Sequence, residues 1–153
     1  VGLHTSVSSG IAGLVLGRRS AVERERDATR QALRKLDLME AAHLAGHRAD
    51  ALSGGQQRIV EIVRAIAPDP PLLLLDEPAV GLSPPMRELL GANVRRLAKE
   101  HGIGILIVEH AIELVMRLSD RVLVLNYGRK VADAPPEVVR ADRNVLEAYL
   151  GHA

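Results

Sequence analysis

Asp76 and Glu77 stand side by side, directly after Leu72-Leu73-Leu74-Leu75 and directly before Pro78. Four leucines in succession predict a strand buried on both faces, and Pro78 keeps that strand from running on. In an open parallel sheet, ligands bind just outside the carboxyl ends of the strands. Two carboxylates at such an end could hold a metal, hold a metal already carried by a phosphate, or act as a general base. A hard cation such as Mg²⁺ prefers carboxylate and water oxygens and usually keeps several waters. A neighbouring carboxylate can then orient an attacking water and take up its proton. The plainer alternative is two solvated acids in a turn.

A second group with chemical potential is Ser53-Gly54-Gly55, immediately ahead of a long amphipathic stretch. A helix start presents unpaired N–H groups and the positive end of the helix dipole, which together suit a phosphate. Glycine lets backbone approach a ligand closely, and the serine hydroxyl adds a donor. The same residues would also serve as an ordinary serine cap. A third candidate is His110, which with Glu109 follows the apolar run Gly102 to Val108. A lone histidine can equally cap the next helix or lie in the surface. His4, His43, His47, His101 and His152 have no partners at metal-ligand spacing and read as surface residues. No glycine-rich phosphate loop of the form GxxxxGK[ST] occurs anywhere in the chain.

The elements that must position these residues follow from periodicity and punctuation. Residues 1–19 are rich in glycine and serine around a small apolar patch and carry no firm structural signal. Ser20-Ala21-Val22-Glu23 has the spacing of a capping box, opening a charged helix to about Leu36 with Ala28, Ala32, Leu33 and Leu36 on one stripe. Leu38 to Leu44 predicts a short second helix closed by Gly46. From Leu52 onwards, Ile59, Val60, Ile62, Val63, Ile66 and Ala67 fall at helical spacing, and Pro68 ends the run. After the leucine strand, Ser83-Pro84 reads as a cap with proline in the first turn, opening a helix to about His101. Residues 102–108 predict a second buried strand, and a helix to about Leu118 leads to a third at Arg121 to Asn126. Tyr127-Gly128 predicts a tight turn into a short strand, Arg129 to Ala132, and Pro135-Pro136 and Asn144 introduce two small closing helices. Strands alternating with helices of this length predict an α/β fold with a parallel sheet and helical crossovers.

Bulk properties narrow the function classes. At 153 residues the chain has room for one domain with a real core. A hydrophobic content of 47% and a charged content of 25% are those of an ordinary globular protein. A formal charge of +1 makes no electrostatic case for nucleic acid or an anionic membrane. Absence of cysteine excludes disulfides, thiolate metal sites and thiol redox chemistry, and suits a cytoplasmic setting. The apolar run Ile11 to Leu16 is far too short to span a bilayer. The start lacks the charged region and cleavage site of a signal peptide. It begins with Val1 rather than Met, and the expectation is a chain that starts partway through a longer one.

Taken as an ordered set, the motifs are more specific than any one alone. Leu52-Ser53-Gly54-Gly55-Gln56 opens a helix, the leucine strand ending in Asp76-Glu77 follows about twenty residues later, and a strand ending in His110 follows about thirty beyond. This set resembles the nucleotide-binding subunit of ATP-binding cassette (ABC) transporters. There LSGGQ is the signature motif, the leucine strand with its acids the Walker B strand, residues 79–83 the D-loop, and His110 the switch histidine. Within that family the chain looks most like the ATP-binding subunits of branched-chain amino acid importers. The residues carrying that likeness are QQRIVEIVRAIA, DEPAVGLSP, IVEHAIELVMRLSDRVLVLNYG and the ending NVLEAYLG. Two positions depart from the wider family: Ser83 where many members have Asp, and Ala111 where an acid is frequent. Neither removes a catalytic group.

The resemblance implies a P-loop NTPase-like (RecA-like) fold, of which this chain carries the second half behind an α-helical subdomain. Residues 1–52 would be the helical subdomain that docks on a permease, and 53–153 the C-terminal half of the ATPase core. It implies ATP and Mg²⁺ as ligands, with Asp76 holding Mg²⁺ through water, Glu77 polarising the attacking water and His110 serving the same site. Ser53, Gly54, Gly55 and Gln56 would contact ATP held by a second ATP-binding subunit, since the family dimerises head to tail. The implied partners are that subunit and transmembrane permease subunits, with no nucleic acid and no direct membrane insertion. The implied location is cytoplasmic, peripheral on the inner face of the plasma membrane. A competing expectation comes from the missing phosphate loop: a catalytically incomplete piece acting only as an interaction module on a permease or partner ATPase. ABC proteins of DNA repair or translation match less well, because they usually carry insertions or a duplicated cassette.

Overall fold

Residues 18–150 are described by a computed structural model. The glycine- and serine-rich start and the Ile11 to Leu16 patch lie outside them. The described residues divide into two compact units, one ending at Leu106 and one beginning at Ile107.

The first unit opens with helix α1, Arg18–Leu38. The helix is already under way at Arg18, so Ser20 lies within it and is not its cap. Arg18 and Arg19 are good helix formers and carry the helix past the serine. Ala28, Ala32 and Leu36 form the half-buried stripe that their spacing predicts, but Leu33 stands on the solvent side. Lys35 shares the stripe instead, its stem covered and its ammonium paired with Asp69.

The predicted helix over 38–44 does not form. Leu38 belongs to α1, and Glu40 adopts φ 56°, in the left-handed region. The Ala41 amide donates back to the Leu36 carbonyl at 2.8 Å and the Glu40 amide to Asp37 at 2.9 Å. These are the two bonds of a Schellman ending, which reverses the chain. Only a single 3₁₀ turn, Ala42–Leu44, follows, then another at Ala49–Ala51.

Helix α2, Gly54–Ile66, starts at Ser53 and buries Ile59, Ile62, Val63 and Ile66. Strand β1 is Leu72–Asp76, helix α3 Pro84–His101, and strand β2 Gly104–Val108. Ser83 caps α3 by position, with Pro84 at its first residue, and Gly102 ends it in the left-handed conformation at φ 65°. The two strands pair. The Gly104 amide donates to the Pro71 carbonyl at 3.0 Å, so both strands begin at the same level, as in a parallel pair joined by a helical crossover.

Neither strand is buried on both faces as the unbroken apolar runs predict. Leu73 and Leu75 are buried, whereas Leu72 is 55% and Leu74 65% exposed, and β2 alternates in the same way. An apolar run shows that both faces tolerate burial. Whether both are covered depends on what packs there, and among the described residues Leu72 and Leu74 are left more than half exposed.

The second unit contains helix α4, Ile112–Leu118, strands β3, Val122–Asn126, and β4, Arg129–Ala134, and helices α5, Pro136–Ala141, and α6, Arg143–Leu150. Strands β3 and β4 form an antiparallel hairpin. Its two-residue turn has φ 47° at Tyr127 and 74° at Gly128, the twist that suits a tight hairpin. The predicted turn is therefore present, and β4 runs two residues further than expected. Among the described residues, parallel pairing is confined to β1 and β2, because β3 pairs with β4. Val122, Val124, Val139 and Val145 form the core of this unit, with Val115, Met116 and Val131 packed against it. Asp142, not Asn144, opens α6: its carboxylate accepts from the Asn144 amide at 2.8 Å. Across the hairpin Arg121 donates to Asp133 at 2.6 Å, and this bond holds the Asp133 carboxyl below the usual carboxylate range.

Candidate functional site

Ser53 is the cap of α2 in a complete capping box. Its hydroxyl accepts from the Gln56 amide at 3.4 Å, and the Gln56 Oε1 accepts from the Ser53 amide at 2.9 Å. The sequence reading of a plain cap and the reading of an anion site are thus compatible, since the box leaves the helix start in place. The amides of Gly54 and Gly55, in the first turn, have no intrahelical acceptor by construction. A side chain added at Gly54 would meet nothing within 4 Å, so that side of the helix start is open to a ligand. Gly55 is different. A Cβ there would lie 3.4 Å from Leu82 Cδ2 and 3.4 Å from Met86 Cε, so residues that follow β1 sit beside this part of the helix and leave little room for a larger side chain.

Asp76 is the last residue of β1 and Glu77 the first beyond it, and both are exposed. Glu77 adopts φ 43°, a conformation that costs a non-glycine residue about 1–2 kcal/mol. Its carbonyl accepts from the Val80 amide at 3.2 Å, closing a turn that carries the chain out of the strand. Gly81, at φ 73°, makes a second reversal, and the Leu82 amide donates to Ala79 at 3.2 Å. The Arg87 Nε then fastens the Leu82 carbonyl at 3.1 Å, just ahead of α3. Residues 77–83 are therefore a succession of bonded turns in which each reversal has a named donor.

Sequence reasoning passed over Arg58. Its guanidinium donates to the Glu77 carbonyl at 3.1 Å and pairs with Glu61 at 2.9 Å. The available signal was spacing, because Gly54, Gly55 and Arg58 lie four and three residues apart and so share a helix face. Arg58 ties α2 to the turn after Asp76-Glu77, within the first unit. Glu109 was likewise noted only as the neighbour of His110. Its side chain is 1% exposed, and its carboxylate accepts from the amides of His110 at 3.0 Å and Ala111 at 3.1 Å. His110 belongs to the second unit. Its imidazole is 71% exposed and its Nδ1 lies 3.8 Å from the Glu109 carboxylate.

The donor set has a defined capacity for metal. Among the described residues, no three His, Asp or Glu side chains gather into a metal cage. Asp76 and Glu77 supply exposed oxygen ligands from one turn. That fits a Mg²⁺ ion that arrives on phosphate oxygens, keeps its waters and takes one or two carboxylates from protein. It does not fit a structural zinc site, which would need four ligands.

Comparison with known proteins agrees with this geometry. The family model described as ABC transporter matches residues 4–80, and the one described as Branched-chain amino acid ATP-binding cassette transporter matches residues 129–153. The chain is 38% identical over 151 residues to the high-affinity branched-chain amino acid transport ATP-binding protein BraF of Pseudomonas aeruginosa, covering 99% of this chain and 58% of BraF. Among solved structures, the ADP conformation of MJ1267, an ATP-binding cassette of an ABC transporter, superposes with a TM-score of 0.73 at 32% identity. That match covers 82% of this chain and 51% of MJ1267. The dimeric post-hydrolysis state of the ATP-binding cassette MJ0796, bound to ADP and Pi, matches with a TM-score of 0.62 at 30% identity, covering 70% and 46%. The matches thus span about half the length of these relatives. With the signature-like helix start, the acid pair after β1 and a family match over half its residues, the chain belongs to the ABC transporter ATP-binding family, and relatives such as BraF are branched-chain amino acid transport ATP-binding proteins.

Proposed function

We propose that this chain serves in the ATP-hydrolysing subunit of an importer for branched-chain amino acids or related solutes. The observation that carries this reading is the bracket within the first unit. Helix α2 and the turn that carries the acid pair after β1 are joined there by the bond from Arg58 to the Glu77 carbonyl, and Leu82 and Met86 lie beside the Gly55 end of the helix. Such a bracket holds two ligand-facing elements at a set spacing.

In this reading the amides of Gly54 and Gly55, with Ser53 and Gln56, meet the γ-phosphate of ATP held by a second ATP-binding subunit. Glu77 orients the attacking water and accepts its proton, and Asp76 holds water on Mg²⁺. The ion, when bound, neutralises charge that develops on the phosphate oxygens. His110, exposed just beyond β2, is the switch histidine in this reading. No GxxxxGK[ST] stretch occurs among the 153 residues, so the grip on the β- and γ-phosphates would come from residues outside them. Residues 1–52 would dock on permease subunits, and 53–153 would form the remaining ATPase core. No helix among the described residues is long and apolar enough to cross a membrane. In this reading the subunit sits peripherally on the inner face of the plasma membrane through its permease partners.

The test is uptake of labelled leucine, isoleucine and valine into vesicles carrying the assembled transporter. We expect ATP-dependent uptake by the parent complex and none after Glu77→Gln. A second reading, a non-catalytic interaction module, is favoured by the exposed Leu72 and Leu74 on the outer face of β1. On that reading the chain binds its partners, ATP turnover is absent, and Glu77→Gln changes nothing.

A further inference from the structure

The main-chain carbonyl of Glu77 is shared by donors from two parts of the fold. The Val80 amide reaches it at 3.2 Å from within the turn, and the Arg58 guanidinium reaches it at 3.1 Å from α2. Arg58 is itself held, because a second terminal nitrogen donates to Glu61 at 2.9 Å, three residues along the same helix. Its side chain is only 33% exposed, so the arm lies along the protein with its direction set. Glu77 needs such support, since φ 43° is a conformation that persists only where its surroundings impose it. Fixing the peptide plane after Glu77 fixes the rotation about its Cα, and with it the direction in which the carboxylate leaves the backbone.

We infer that Arg58 is a positioning residue for Glu77: from α2 it locks the left-handed peptide unit that aims the water-polarising carboxylate. This rests on the ATPase reading above and adds a consequence to it. The helix whose start meets ATP in one composite site also steers the carboxylate that serves the other. A shift of α2 on contact with a γ-phosphate is therefore passed to Glu77 through one guanidinium.

The test uses the full-length subunit in its assembled dimer. Arg58→Met keeps the aliphatic stem and removes the donors. We expect kcat to fall about ten-fold or more, the scale of a misaimed reacting group, with KM for ATP within about two-fold because ground-state binding is untouched. ATP-driven dimer formation should be unchanged. Arg58→Lys, which retains a cation able to reach the carbonyl, should recover much of kcat. Arg58→Met combined with Glu77→Gln should turn over ATP in a single-turnover assay no more slowly than Glu77→Gln alone, since aiming a carboxylate is worthless once the carboxylate is gone.

Full kcat in Arg58→Met overturns the inference, as does an additive loss in the double variant. So does loss of fold with methionine at 58, which would make Arg58 a determinant of the fold instead. A complex whose ATP turnover does not depend on Glu77 overturns the ATPase reading along with it. A complex with Glu77-dependent turnover and an indifferent Arg58 overturns this inference alone.

Discussion

Asn93 donates through Nδ2 to the carbonyl of Met39 at 3.1 Å, fastening α3 to the end of α1 across 54 residues of chain. Asn93 is fully buried, and its Oδ1 accepts from the Arg96 guanidinium at 2.6 Å. The same guanidinium donates to the Leu38 carbonyl and lies 3.4 Å from the Glu40 carboxylate. The end of α1 is thus capped by side chains of α3. A helix leaves its last carbonyls without intrahelical partners, and a cation there also complements the helix dipole. Asn93→Ala would orphan the Met39 carbonyl and take a partner from Arg96, a buried loss of about 1–3 kcal/mol. We expect a matching drop in urea midpoint, and an unshifted midpoint would show that the cap carries no stability.

Glu77 and Asp76 should separate in nucleotide assays on the complete subunit. Glu77→Gln should keep ATP binding and lower hydrolysis by ~10²-fold or more, the scale of lost general-base assistance. Asp76→Asn should weaken Mg²⁺-dependent binding, because it removes charge from the metal's surroundings. Parallel titrations of ATP and Mg²⁺ check this, and identical binding defects in the two variants would contradict the division of roles.

Ser53 should act on the partner's nucleotide. Ser53→Arg should leave ATP binding to an isolated complete monomer unchanged and block ATP-driven dimerisation, since a bulky side chain would take the γ-phosphate's place. Pairing a Ser53→Arg subunit with one whose phosphate-loop lysine is replaced puts both lesions on one composite site. Part of the activity should then survive at the other site. Loss of ATP affinity in the Ser53→Arg monomer would place the serine on its own subunit's nucleotide instead.

The two signature glycines should differ. Gly54 has open space where a Cβ would go, so Gly54→Ala should stay within about 0.5 kcal/mol of the parent in stability. Gly55→Leu must displace Leu82 and Met86 and should cost about 1–3 kcal/mol by overpacking. Chemical denaturation of both variants decides the matter, and equal stabilities would mean the α2 contact is loose.

The β3–β4 hairpin should carry a small acid-sensitive contribution. Arg121 holds the Asp133 carboxyl below its ordinary range. Stabilisation from such a group is present above its unfolded-state pKa and is lost as pH falls through the depressed folded value. Asp133→Asn should therefore lower stability slightly at neutral pH, and the difference from the parent should vanish on acidification below the usual carboxylate range. Both residues face solvent, so the effect is modest. A difference that grew with acidity would reverse the assignment.

Much of this protein is written in local patterns. The cap at Ser53, the stop at Pro68, the start of α3 at Ser83-Pro84 and the turn at Tyr127-Gly128 are each set by residues within a few positions, so sequence alone determined them. The acid pair after a leucine strand and the glycines at a helix start were equally legible, because their chemistry depends on residue type and nearest neighbours. What sequence could not decide depends on contacts between distant segments. The unbroken apolar run at Leu72 to Leu75 left open whether anything covers both its faces, and in the structure only one is covered. Leu38 to Leu44 has helical composition, yet the left-handed turn at Glu40 breaks it, with Arg96 and Asn93 holding the end of α1 from the other side. The bond from Arg58 to the Glu77 carbonyl belongs to the same class. It joins residues 19 positions apart, and only the packing of α2 beside the turn after β1 brings the guanidinium within reach.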